Sequence, residues 1–138
     1  MDFKLELVLI PVSDVARAKN FYLDQAGFVL IVDTPIGEDQ RVVQVVPPGS
    51  ECAIGFGTGI TSAAPGSAQG LHLVVTDILA ARAELTGRGV PVSQVRHLVS
   101  GAWVDGPHPQ RSNYESFADF ADPDGNVWVL QEVDRSTS

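Results

Sequence analysis

Few residues of this 138-residue chain have side chains suited to chemistry, and they are scattered. There are three histidines, His72, His97 and His108, and one cysteine, Cys52. A lone cysteine excludes an internal disulfide framework and a cysteine-cluster zinc site. Cys52 reads as a buried structural thiol, because a nucleophile needs a cation or imidazole beside it. His108 stands between two prolines and reads as exposed and inert, while His97, just past a strand end, is a general-base candidate. The densest grouping is Gly101–Tyr114, which brings Trp103, His108, Arg111 and Tyr114 into one irregular segment, and loops carry function disproportionately. Trp103 and Tyr114 offer flat rings with polar handles, suited either to stacking a flat ligand or to capping a core. Gly55-Phe-Gly57-Thr-Gly59 has glycine spacing like that of a phosphate cradle, but no helix pattern follows it. No nucleophile elbow is present.

The elements that must position these residues follow from pattern. Lys4–Val12 is almost continuously apolar and predicts a strand buried on both faces, with Pro11 near its end. Ser13-Asp14 supplies helix-capping oxygens, and Val15–Gln25 follows as a helix with Val15, Ala18, Phe21 and Tyr22 on one face, ended by Ala26-Gly27. Strands are predicted over Phe28–Asp33, Gln40–Val46 and Cys52–Phe56, separated by turns at Pro35–Asp39 and Pro47–Ser50. Residues 58–69 form a connecting loop. The pattern then restarts. Leu71–Val75 is a strand, Thr76-Asp77 a cap, Ile78–Arg88 a helix and Val90–Arg96 a strand. Residues 97–112 are irregular, and Tyr114–Phe120 and Val127–Glu132 are the last strands before a polar tail, Asp134–Ser138. Asp122-Pro-Asp-Gly-Asn126 is turn chemistry.

The two halves repeat. Val12-Ser-Asp-Val15 answers Val75-Thr-Asp-Ile78, and Ala26-Gly-Phe28 answers Arg88-Gly-Val90, about 60 residues apart. The reading is one α+β domain over residues 1–138. Module one covers about 4–57 and module two about 70–133, each of βαβββ order. Such modules can set their sheets side by side and curl into a cup; a ferredoxin-like pair is the alternative.

Composition narrows the partners. Seventeen acidic against nine basic side chains give a net charge of −8, with no basic stripe, so nucleic acid and anionic membrane are disfavoured. No run approaches a membrane span, and the polar alternation of the first residues does not resemble a signal peptide; the expectation is a cytoplasmic location.

Asp14, Ala18 and Phe21-Tyr22, then Gly27-Phe28, then the second strand–Asp77–helix unit, then Phe120-x-Asp122-Pro-Asp-Gly-Asn126, resemble the vicinal oxygen chelate superfamily. That superfamily includes glyoxalases, extradiol dioxygenases and bleomycin-resistance proteins. The resemblance spans Leu5 to Glu132 and implies a U-shaped mixed sheet forming a cup with helices outside, often in a homodimer. The family's metal enzymes take one ligand from each of four strands. Counting from Asp14, Asp77 and Gly125, those positions read Leu7, Leu71 and Val129, and the fourth aligns with Gly55. None of these can bind a cation, so no metal and no cofactor are expected. His72, Glu6 and Glu132 are neighbours at odd offsets. They read as a hydrogen-bonded histidine on the helix side and two solvated strand-end acids.

The cup floor expected from this alignment is Leu7, Leu9, Leu71, Leu73 and Val129, with Arg41 and Gln131 as polar groups and Trp103 and Tyr114 from the loop. These residues fit a metal-independent protein of the bleomycin-resistance type that sequesters an aromatic or amphipathic small molecule. The alternative is an enzyme. It would be a metal-free isomerase, cyclase or lyase using His97 or Glu115 as base, or a metal lyase or dioxygenase with displaced ligands. Trp128 alternates with Val127 and Val129 and is expected in the core.

Overall fold

Two aspartates begin the two helices, as their place before apolar runs predicts. In the computed structural model, which describes residues 1–38 and 40–135, Asp14 accepts from Arg17 N–H at 3.0 Å and Asp77 from Ala80 N–H at 3.2 Å. Each bond satisfies an orphan donor of the first turn. The first helix, α1 (Val15–Asn20), passes into a wider turn over Phe21–Gln25, closed by Ala26 N–H on Phe21 O at 2.9 Å. That five-residue spacing replaces the regular helix expected to Gln25, and both Phe21 and Tyr22 are buried. Gly27 ends the segment with φ of 78°. The second helix, α2, is Ile78–Gly87. Among the described residues no helix is long and apolar enough to cross a membrane.

The architecture is α+β, a βαβββ module followed by a second module that has one strand more than expected, βαββββ. The chain divides into two compact units. The first is Met1–Ala68 together with Asp122–Asn126; the second is Gln69–Ala121 together with the chain from Val127 on. The first sheet has strands β1 (Leu7–Leu9), β2 (Val29–Pro35), β3 (Arg41–Val46) and β4 (Ala53–Gly57) in the order β1-β4-β3-β2, with β1 parallel to β4. α1 packs on β3, and Ile10, Phe21, Tyr22, Phe28, Val43, Val45 and Phe56 form this unit's core. The second sheet has β5 (Leu71–Val75), β6 (Arg96–Val99), β7 (Ala102–Asp105), β8 (Phe117–Ala121) and β9 (Val127–Glu132) in the order β5-β9-β8-β6-β7. α2 packs on β8 and β9 over Ile78, Ala118, Phe120, Trp128 and Leu130. Trp128 is a core residue, as its alternation predicts.

Five expectations are corrected. The first strand is short, because β4 begins at Ala53 and leaves residues before Glu6 nothing to pair with; Phe3 and Leu5 are exposed. Nor is this strand buried on both faces, since β1 is an edge strand and Leu9 is exposed. Residues 91–95 do not form a strand; Pro91 has no N–H, and the segment touches β8 through Ser93 N–H on Asp119 O at 2.8 Å. Residues 97–112 are not irregular throughout, since β6 and β7 form a hairpin around Ser100-Gly101, both at positive φ (50° and 82°). That is the backbone a tight two-residue hairpin requires, and it adds an edge strand to the second module. β8 starts late because Tyr114 is left-handed, at φ of 69°. Asp39, in the first predicted turn, and tail residues 136–138 lie outside the described residues.

The Asp122–Asn126 turn is built on one buried carboxylate. Asp122 Oδ1 accepts from Asp124 N–H (3.0 Å) and Asn126 N–H (2.9 Å); Oδ2 accepts from Tyr22 O–H and Asn126 Nδ2, both at 2.8 Å. Asn126 also donates to Pro11 O and accepts from Ala68 N–H. Gly66 passes so close that a Cβ there would stand 2.0 Å from Asp124 O. Asp122→Ala removes the acceptor of four donors, and urea unfolding should show a loss of about 3 kcal/mol, against about 1 kcal/mol for Tyr22→Phe. Equal small losses for the two variants would show that water replaces the carboxylate.

Candidate functional site

Each sheet has one face under its helix and one away from it, and register decides which side chains share a face. In the first sheet Leu9 pairs with Gly55, and Gly55 with Gln44. A Cβ on Gly55 would meet Leu7 Cδ1 at 3.2 Å, Leu9 Cδ2 at 3.3 Å and Gln44 Cγ at 3.7 Å. Leu7, Leu9 and Gln44 therefore crowd around a glycine on the face away from α1. Two of the four family metal positions, Leu7 and Gly55, are here, and neither offers a donor. Arg41 lies elsewhere. It alternates in phase with buried Val43 and Val45, and its guanidinium holds Asp33 through Nε at 2.7 Å and a second N–H. Lys19 of α1 binds the same carboxylate at 2.6 Å. These bonds, Arg41's first and Lys19's next, hold Asp33 far below the usual carboxylate range. Arg41 belongs to this three-charge knot on the helix side, which corrects its expected place beside the floor.

In the second sheet the parallel register sets His72 beside Val129, Leu71 beside Trp128 and Leu73 beside Leu130. Side-by-side residues point to the same face. Leu71 and Leu73 are therefore on the α2 side, and His72 shares the face of Val129, the reverse of the expectation. Parity within each strand is readable from sequence, but the offset between two strands is not. His72 is exposed, with Nδ1 2.7 Å from Gly70 O.

The face away from α2 gathers residues from five strands. Val129 is flanked by His72 and Asp119, and Gln131 by Val74 and Phe117; Phe117 pairs with Arg96, and Leu98 with Trp103. Trp103 is 52% exposed. Arg96 lies over its ring at 4.8 Å, and Phe117 meets it edge-on at 5.7 Å between centroids. Arg96 is held in place by Asp119 (2.9 Å) and Ser93 Oγ (3.0 Å). Of the candidate residues, Trp103, Val129 and Gln131 share this face; Arg96, Phe117 and Asp119, which also share it, were not among the candidates. The Ser-Gly turn at 100–101 was the signal that would have found them.

The loop candidates separate. His97 is buried within β6 on the opposite face from Arg96, its Nδ1 2.7 Å from Gly106 O, so it cannot reach this face. His108 is half-buried, not exposed; its ring meets His97 edge-on and its Nδ1 accepts from Gln110 N–H. Glu115 is exposed. Tyr114 is 53% exposed, and its carbonyl accepts from Gln131 Nε2 at 3.3 Å.

These features define a two-module α+β fold. The sequence matches the model of the Glyoxalase/Bleomycin resistance protein/Dioxygenase superfamily over residues 4–130, and the chain belongs to that superfamily. It is similar to TnmS3, an antibiotic binding protein from Streptomyces sp. CB03234. That structure is 34% identical with a TM-score of 0.74, over 96% of this chain and 98% of that one. It is also similar to a glyoxalase/bleomycin resistance protein from the same Streptomyces, at 35% identity and a TM-score of 0.71, over 94% and 100% of the two chains. The uncharacterized protein YetH of Bacillus subtilis (strain 168) is 25% identical, over 91% of this chain and 94% of that one. The donor set does not fit the family's divalent metal. Leu7, Gly55 and Val129 offer only hydrocarbon or hydrogen, the register turns Leu71 to the α2 side and sets the single imidazole of His72 beside Val129, and among the described residues no group of three His, Cys, Asp or Glu is placed to hold an ion.

Glu132 is not the solvated acid its place at a strand end suggested. It is 2% exposed and accepts from Ile78 N–H at 2.9 Å and from Arg111 through two N–H groups, one at 2.8 Å. Arg111, left-handed at φ of 52°, also reaches Asp77. The Arg111 bonds, outweighing burial, hold Glu132 below the usual glutamate range. A lowered folded-state value means this stabilisation is complete above about pH 4.5 and is lost as pH falls through the folded value. Arg111→Ala should cost about 2 kcal/mol at neutral pH, discounted from a fully buried pair because Arg111 is partly solvated. The deficit should shrink in urea unfolding below about pH 4.5. A deficit undiminished at acid pH would assign the effect to packing instead.

Proposed function

We propose that this protein binds and sequesters a flat aromatic or amphipathic small molecule on the face of its second sheet away from α2, without a metal. The observation that carries the proposal is Trp103. Its indole has a guanidinium over it and a phenyl ring at its edge, yet half its surface remains open. A ring stacking there gains contact area and about 0.5–1.5 kcal/mol of aromatic geometry beyond it. Among the described residues two of Arg96's five N–H donors are used, leaving others for a ligand oxygen. Val129 supplies apolar floor and Gln131 and Tyr114 a polar rim. The likeness to an antibiotic binding protein supports the ligand class. Dimerisation and a cytoplasmic location belong to the same proposal and rest on the family resemblance and composition.

An enzymatic reading would draw on His72, the imidazole that shares the face of Val129, rather than on the enclosed His97.

Titration with a panel of planar aromatic natural products should quench tryptophan emission, and Trp103→Phe should remove most of the signal. Trp103→Ala should weaken binding at least about tenfold; unchanged affinity in that variant would refute the site. Elemental analysis of the purified protein should find far less than one divalent ion per chain, with binding unaffected by EDTA. A stoichiometric ion would overturn the metal-independent reading.

A further inference from the structure

A cleft of about 450 Å³ opens where residues 91–93 pass the end of β8. Its lining includes Pro91, Ser93, Asp119, Ala121 and Val127. Asp119 connects it to the Trp103 platform: one carboxylate oxygen, Oδ2, holds Arg96, which stacks on Trp103. The other, Oδ1, has no hydrogen bond among the described residues, and the side chain is 38% exposed. Ser93 fixes both polar groups of the Asp119 backbone, its Oγ accepting from Asp119 N–H at 2.9 Å and its N–H donating to the Asp119 carbonyl at 2.8 Å. The carboxylate is therefore held in place with one acceptor spare.

Resting on the binding function proposed above, we infer that this cleft is a second subsite, taking a hydrogen-bond-donating substituent, amine or hydroxyl, carried by the ring that stacks on Trp103. An ionised carboxylate only accepts hydrogen bonds, so it selects donors and repels acids. The apolar walls at Pro91, Ala121 and Val127 suit the short hydrocarbon arm between ring and donor. A bipartite ligand would also gain by linkage, since the second contact forms within a complex already made.

The test uses three fluorescent probes of one ring size: 9-(aminomethyl)anthracene, 9-anthracenemethanol and 9-anthracenecarboxylate. Binding is read by probe anisotropy. The amine and the alcohol should each bind at least about tenfold tighter than the carboxylate. The neutral alcohol is the decisive arm, because a chain of net charge −8 attracts any cation. Asp119→Asn should collapse the amine's advantage. Ala121→Leu, which fills the cleft and leaves the Asp119–Arg96 pair intact, should collapse that of both donors. Binding of all three probes without preference, or a preference that survives both variants, overturns the subsite and leaves the Trp103 platform standing. No binding by any probe, with Trp103 also silent to the natural-product panel, removes both.

Discussion

One buried carboxylate, Asp122, fixes more of the chain than any other group. It is 5% exposed and accepts four hydrogen bonds, from two backbone N–H groups of its own turn, from Tyr22 O–H and from Asn126. A buried carboxylate is costly unless its oxygens are fully occupied, and here they are. Through Asn126 the same network reaches Pro11 and Ala68, the end of the first strand segment and the end of the connecting loop. Tyr22 in turn packs its ring against Phe21, Phe28 and Phe56, so the polar cluster and the aromatic core of the first unit share one side chain. The Asp-Pro-Asp-Gly-Asn segment is therefore a structural signature. Its residues are absorbed by folding and leave nothing for chemistry.

The second unit puts its charged pairs to a different use. Arg111 and Glu132 are spent on anchoring a loop to the start of α2. Arg96 and Asp119 are only partly spent. Their pairing holds a guanidinium over Trp103, and among the described residues both side chains keep unused hydrogen-bonding capacity. A tryptophan on an edge strand would ordinarily be a liability, an apolar surface at the rim of a sheet. Here it is braced by Phe117 and Arg96 and kept in one orientation, which lowers the entropy lost when a ring settles on it.

Much of this was legible beforehand. The two aspartate caps, the widened helix's inward Phe21 and Tyr22, β5, β9 and the core placement of Trp128 all follow from local pattern. The family assignment followed from the order of those signals. Two kinds of feature were not legible. The offset between parallel strands β5 and β9 exchanged the faces of His72 and Leu71, because each strand's alternation is silent about its neighbour's. Pairing partners were hidden as well: Glu132 and Arg41 look like surface charges until Arg111 and Asp33 are seen beside them. The β6–β7 hairpin is a different case, since its Ser100-Gly101 turn was in view, but the surrounding glycines and prolines suggested a loop.

The register that places His72 beside Val129 also sets how near each sheet stands to a cation site. His72, Val129 and Asp119 form one lateral row, each about 4.8 Å from the next strand. A single replacement at position 129 by histidine or glutamate would put three coordinating side chains in that row. The first sheet is further from such chemistry, because Leu7, Leu9 and the crowded Gly55 would all have to change. The two sheets therefore stand at unequal numbers of substitutions from a cation site, with the second sheet nearer.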